Sequence, residues 1–202
     1  MTRRFLLQSI LFLSLYRSLA VLSAAATATV IGVVAELRGR ALAELNKTRR
    51  SLDIDASVFL GDTLRTGENS RLAVLLAEKT RLRLGAKTTI TVDRFVADAG
   101  GELSLGSGAL LLEAPLQSLP KGLTVESPFA LIAVRGTVFF AGPINGVFGV
   151  FVKSGSLDVT AGGIRVRLRK GEGTDIAKAG DPPGPVKKWG KAKINKAFAL
   201  VQ

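Results

Sequence analysis

The chain has 202 residues, 47% of them hydrophobic, with 28 Lys and Arg against 16 Asp and Glu for a net charge of +12. That length and apolar content support one domain with a sizeable core, and 22 glycines favour a turn-rich fold over a helical bundle. The chain contains no Cys and no His, which excludes disulfides, thiolate nucleophiles, Fe–S clusters, imidazole metal ligands and every Ser-His or Cys-His catalytic pair.

Residues 1–28 read as an export signal peptide. Arg3 and Arg4 supply a positive start, and Phe5 to Tyr16 is an apolar run interrupted only by Gln8 and two serines. The small residues from Ser23 to Ala28 offer cleavage after Ala26 or Ala28. The run falls short of the roughly 20 residues that span a bilayer. Arg17 interrupts the stretch, so an uncleaved N-terminus stands as the alternative. The paired arginines leave both the general and the twin-arginine export routes open. No Cys follows the apolar run, so a lipoprotein anchor is excluded. Cleavage after Ala28 would remove three arginines and no acid, lowering the charge from +12 to +9. The expected location is the periplasm. A protein so basic there meets lipopolysaccharide, cell-wall polymers, anionic head groups or acidic protein faces.

From Val30 onward, short β-prone runs alternate with Gly, Asn, Asp, Ser or Pro. Strands are predicted at Val30–Leu37, Leu72–Leu76, Arg81–Leu84, Thr88–Phe95, Glu102–Leu105, Ala109–Leu112, Leu123–Val125, Ala130–Val134, Thr137–Ala141, Val147–Lys153, Ser156–Thr160 and Ile164–Leu168. A spacing of about 8–12 residues suits an all-β roll, sandwich or solenoid. Asn145-Gly146, Ser154-Gly155 and Ala161-Gly162-Gly163 carry turn chemistry, so the last four strands are expected to form one consecutive meander. Arg81-Leu82-Arg83-Leu84 and Ile164 to Arg169 alternate cleanly, with apolar residues on one face and Arg81, Arg83, Arg165, Arg167 and Arg169 in water on the other.

Gly180 to Pro185 reads as a linker. Beyond it, Lys187, Lys188, Lys191, Lys193 and Lys196 form a tail without an acid, and Ile194, Phe198 and Val201 share a helical face. That tail is expected to be loosely helical or to dock back through Trp189 and Phe198. The predicted organisation is a leader over 1–28, a β domain over 29–176, and a linker with a basic tail over 177–202.

Three segments resemble the FecR domain family of exported bacterial proteins. The first is Gly61-Asp62-Thr63-Leu64-Arg65-Thr66-Gly67 through Leu72, followed by Leu82-Arg83-Leu84. The second is Val125-Glu126-Ser127-Pro128-Phe129-Ala130 running on to Arg135-Gly136-Thr137-Val138-Phe139. The third is Val152 to Val159, containing Gly155, with Val166 to Glu172 after it. The resemblance spans about residues 30–176. It implies a single β-solenoid or β-roll domain, with a β-sandwich as the alternative that strand spacing equally permits. Family members often carry a cytoplasmic anti-sigma region and a membrane helix, and relay a signal from a TonB-dependent receptor. This chain departs from that plan: only a signal-like leader precedes the domain, and no room follows Ile176 for a further receptor-contacting subdomain. Direct control of a sigma factor is therefore not expected.

Residue by residue, these motifs read mainly as scaffold. Gly61-Asp62 and Thr66-Gly67 flank a short strand with turn chemistry. Pro128 gives an extended entry to Phe129–Val134, a run expected to be buried on most sides. Arg135 needs a carboxylate if buried, and Asp62 is the expected one. If Arg135 instead points out at a strand end, it needs none.

Two functions follow. The first is a periplasmic protein-interaction or signalling module, whose partner is another envelope protein and whose open strand edges could accept a partner strand. The second is binding of envelope polyanions through Arg81, Arg83, Arg165, Arg167, Arg169 and the tail lysines, with steep salt dependence. Catalysis is not expected. Asp53, Asp55 and Glu68 could make a glycosidase pair only if the fold set two of them about 5–9.5 Å apart, and Asp53-Ile54-Asp55 reads instead as a loop or edge strand with both acids on one solvent face. Ser118-Leu119-Pro120-Lys121 carries a helix-breaking proline, and no G-x-S-x-G or calcium-loop spacing occurs after the leader. No cofactor or metal is expected. Nucleic-acid binding is not expected either, because most aromatics outside the leader sit in apolar runs rather than between basic residues.

Overall fold

A computed structural model of the protein describes residues 28–116 and 120–202. Nearly all of the predicted leader, and Ser118, lie outside the described residues. The chain runs β1 (Val30–Arg38), β2 (Ala41–Leu45), β3 (Thr48–Leu52), β4 (Ser57–Phe59), β5 (Thr63–Thr66), β6 (Arg71–Leu76), β7 (Thr80–Leu84), β8 (Thr89–Val96) and β9 (Gly100–Ser107). It continues through β10 (Leu110–Ala114), β11 (Gly122–Glu126), β12 (Leu131–Val134), β13 (Thr137–Ile144), β14 (Val147–Ser154), β15 (Ser156–Ala161), β16 (Ile164–Arg169), β17 (Glu172–Ile176) and β18 (Lys187–Lys188), and ends in a single helix, α1 (Lys191–Ala199).

These strands form two nine-stranded sheets, and neither closes on itself. The first has the order β18-β17-β14-β13-β10-β7-β6-β1-β4, the second β16-β15-β12-β11-β9-β8-β5-β2-β3. From β5 onward, one- and two-strand units alternate between the sheets and advance along both in chain order. Neighbouring strands are antiparallel except β11 beside β9, because β10 crosses to the first sheet between them and the chain returns in the same direction.

The inward residues of the two sheets share one core. Leu72, Val74, Leu82, Leu84, Leu110, Leu112, Phe139 and Val150 come from the first sheet; Leu64, Ile90, Val92, Leu103, Val125, Ile132, Leu157 and Leu168 come from the second. The two-residue period of a strand explains the split, since alternate side chains face opposite ways. On β10, β13 and β14 most of the remaining side chains are apolar too, Glu113 and Lys153 being the charged exceptions. Leu111, Phe140, Ile144 and Phe151 form a second cluster with Trp189, Ala197 and Val201 on the outside of the first sheet. Trp189 stacks on Phe151 at a 5.1 Å centroid distance, and Phe198 meets the same ring edge-on at 6.0 Å. The tail docks because these apolar strands need a cover.

Two expectations need correction. Ser154-Gly155 does not turn a hairpin inside a meander: β13–β14 pair in the first sheet and β15–β16 in the second, and Ser154-Gly155 is the crossover between them. Phe129–Val134 is not buried on most sides, since Leu131 and Ala133 face outward while Ile132 and Val134 enter the core. The other two turns are as expected. Asn145-Gly146 joins β13 to β14, with φ of 52° and 83°, and Gly162-Gly163 joins β15 to β16, with φ of 50° and 77°.

Candidate interaction surface

The motif residues mostly hold the crossovers between sheets. Asp62, fully buried just after the positive-φ Gly61, accepts hydrogen bonds from the two terminal guanidinium nitrogens of Arg50 and from the Phe59 amide at 2.7 Å. Arg50 also donates to the Ser57 carbonyl at 3.1 Å and lies 4.7 Å from the centre of the Phe59 ring. The expected pairing of Asp62 with Arg135 is therefore wrong. Arg135 is exposed, at the end of β12, where its charge stays hydrated. Arg50 was missed, although β3 carries a signal for it. Leu52 points inward, so the strand period turns Arg50 the same way, and an inward arginine needs a buried acid.

Thr66 and Thr88 lock a second crossover. The Thr66 hydroxyl donates to the Gly85 carbonyl at 2.6 Å and accepts the Thr88 amide at 2.9 Å. A side chain on Gly67 would crowd Ser70, whose hydroxyl accepts the Arg40 amide at 2.9 Å. At the β12–β13 and β14–β15 crossovers, Thr137 donates to the Ser156 carbonyl at 2.7 Å, while Gly155 packs face-on against Gly136 and Thr137. Pro128 sits in a turn closed by Ser127, whose hydroxyl accepts the Ala130 amide at 3.0 Å. Pro128 and Phe129 line an apolar cleft of about 350 Å³ with Leu105, Pro143 and Phe148, where Phe129 stacks flat on Phe148 at 4.7 Å.

The expected basic residues divide by face. Arg81 and Arg83 stand on the outside of the first sheet and are matched by acids: both reach Glu36, at 3.2 and 3.0 Å, and Arg83 also lies 3.7 Å from Glu113. Three tail lysines reach back onto the domain, Lys188 and Lys196 while staying exposed. Lys193 pairs with Asp175 at 2.6 Å over the Trp189 ring, Lys188 donates to the Lys170 carbonyl at 2.8 Å, and Lys196 donates to Asn145 at 2.8 Å. Lys187 and Lys191 are exposed.

The second sheet differs. Arg165, Arg167 and Arg169 are exposed on β16, its terminal strand, and one acid answers them. Arg167 lies directly opposite Asp158 on β15 and grips it with two bonds of 2.8 and 2.9 Å. That bond holds the Asp158 carboxyl below its usual range, against the opposing effect of partial burial, and raises Arg167 further. Arg165 reaches only the Thr160 hydroxyl, at 3.4 Å. Beside β16, a shallow cleft of about 510 Å³ is lined by Lys121, Arg135, Asp158, Arg167 and the backbone around Gly122 and Ala133. Arg135 and Arg167, singled out in separate motifs, thus share one surface, and Lys121 joins them. Among the described residues, no group of three or more acidic side chains comes together that could hold a metal ion. The surface suits attraction of negative charge.

The sequence matches the family described as FecR protein over residues 62–171. No curated protein matches. Two crystal structures of a "putative anti-sigma factor" from Parabacteroides distasonis, at 1.65 and 2.50 Å, share the fold with a TM-score of 0.54 and 16% identity, over 65% of this chain and 61% of theirs. The chain thus spans about three fifths of the length of those proteins. The match begins at Asp62, leaving its partner Arg50 outside, and covers both crossover locks and the arginine strand; on that extent the chain belongs to the FecR protein family, a family of regulatory proteins.

Proposed function

We propose that this protein is a non-enzymatic signalling module of the periplasm that works by binding another envelope protein, in the setting of TonB-dependent transport signalling that the family resemblance implies. The leader-like start of the sequence supports the location. One observation carries the reading. Asp62, Thr66, Thr137 and Gly155 are engaged inside the scaffold, while the β16 end of the second sheet gathers Lys121, Arg135, Arg165, Arg167 and Arg169 around Asp158, the acid that pairs with Arg167. Such a face attracts an acidic partner and orients it.

The same face favours a second reading, binding of an anionic envelope polymer. Salt separates the two, because attraction between exposed charges is screened over about 8 Å at physiological ionic strength, whereas a packed protein interface is not. In-cell crosslinking of the tagged full-length chain, with co-purification at low and high salt, is the test. One discrete envelope protein retained at high salt supports the first reading. Lipopolysaccharide or glycan recovered only at low salt supports the second.

A further inference from the structure

We propose that β16 is the docking edge of this protein, and that it takes an extended segment of a partner whose acidic and apolar side chains alternate. The proposal rests on the protein-binding reading above and names its site and the chemistry of its partner.

Four strand edges end the two sheets. Those of the first sheet, β18 and β4, have two and three residues and offer little backbone to a guest strand. In the second sheet, β3 has five residues, one fewer than β16, and its arginines are already matched, Arg49 by Glu44 on the outer face and Arg50 by Asp62 on the inner. The remaining edge, β16, is six residues long and pairs only with β15 among the described residues. Its lower end is closed, since the Glu172 carboxylate accepts the Arg169 amide at 2.9 Å. Ile164 to Leu168 stay open on one side.

The side chains define the guest. On the core side, Ile164 is 52% exposed and Val166 half-buried, although Leu168 on the same side is fully buried. The core therefore stops one strand short, and apolar side chains on an added strand would continue it. On the outer side, Arg167 pairs with Asp158, which Arg165 also attracts from farther off, and among the described residues neither Arg165 nor Arg169 makes a salt bridge. Carboxylates at alternate positions of the guest would lie beside them. A period of two, apolar inward and acidic outward, is what a paired strand presents. A second copy of this chain does not fit. Two β16 strands side by side would set arginine against arginine, a destabilising arrangement, and each copy is strongly basic, +12 for the full chain and +9 without residues 1–28.

The test uses the full chain and three capped synthetic peptides of eight residues: alternating Val-Glu, alternating Val-Lys, and polyglutamate. Hydrogen exchange read by mass spectrometry locates the contact and fluorescence anisotropy measures affinity. The Val-Glu peptide should protect amides within Ile164–Leu168 and bind at least tenfold more tightly than either control. Arg165→Glu/Arg169→Glu, both exposed positions away from the core, should weaken it by on the order of tenfold and favour the Val-Lys peptide. Equal binding of polyglutamate, protection elsewhere, binding unchanged by the charge reversal, or sedimentation showing a dimer through this edge would each overturn the proposal. A discrete partner crosslinked at high salt from a chain carrying Arg165→Glu/Arg169→Glu would overturn this edge and leave the protein-binding reading standing. Loss of every discrete partner from the unaltered chain would overturn that reading itself.

Discussion

Gly155 and Gly146 have nearly the same backbone angle, φ of 81° and 83°, yet different surroundings. A Cβ on Gly146 meets nothing within 4 Å, whereas on Gly155 it would run into the Gly136 carbonyl oxygen and the Thr137 side chain. Alanine at Gly146 should therefore cost only the left-handed penalty, about 1 kcal/mol. At Gly155 it should cost about 3 kcal/mol or more, because backbone has no rotamer to yield. Urea denaturation midpoints of the two variants check the difference. Arg50 and Arg135 make a second contrast. Arg50→Ala leaves the fully buried Asp62 carboxylate with the Phe59 amide as its remaining donor and should destabilise by about 3 kcal/mol. Arg135→Ala, at an exposed strand end, should stay within about 0.5 kcal/mol of the parent. Similar losses from both would refute the assignment of Arg50 as the anchor.

At the scale of elements, α1 shows how packing sets secondary structure. Its nine residues are too few for a stable isolated helix, its first turn carries no acid, and Gly190 gives it no side-chain cap. Docking on Phe140, Phe151 and Trp189 holds it, aided by Arg71 donating to the Ala199 carbonyl at 3.1 Å. Trp189→Ala should therefore cost about 3 kcal/mol. Hydrogen exchange should show Lys191–Ala199 losing protection while β5–β8 keep theirs. Equal loss in both would mean that the tail and the sheets unfold as one unit. The same scale explains which strands are legible in the sequence. Runs rich in Val, Ile, Phe and Leu give β10, β13 and β14 directly. By contrast, Ala41-Leu42-Ala43-Glu44-Leu45 and Glu172-Gly173-Thr174-Asp175-Ile176 consist largely of residues with weak strand preference, and become β2 and β17 because neighbouring strands pair with them. The β2–β3 turn is Asn46-Lys47, with φ of 50° and 67°, a hairpin geometry whose second residue lacks the usual glycine.

For the whole molecule, charge governs the response to pH. Without histidine, no side chain titrates near pH 6.5 from an ordinary starting value. Hydrogen bonds from Arg49, Lys87 and Arg167 hold the carboxyls of Glu44, Glu68 and Asp158 below their usual values. A lowered folded-state value means that each contribution is complete above the unfolded value of about 4 and is lost as pH falls through the folded value. Stability should thus be flat from about pH 5 to 8 and decline modestly below about pH 4. Thermal denaturation across that range checks it, and a decline centred near pH 6 would contradict it.

The sequence by itself determined the all-β class, most strand positions, two of the tight turns and the basic character of β16, because these depend on local periodicity and on which residues tolerate positive φ. Even the Asp158–Arg167 pair is implicit in it. Once Gly162-Gly163 is a two-residue turn, antiparallel register sets residue 158 opposite 167. Only the tertiary structure decided that consecutive hairpins alternate between two sheets, that Asp62 meets Arg50, and that Arg81 and Arg83 are matched by Glu36 and Glu113. Those contacts join residues that local pattern does not connect, and the core that two sheets close between them sets which neighbours meet.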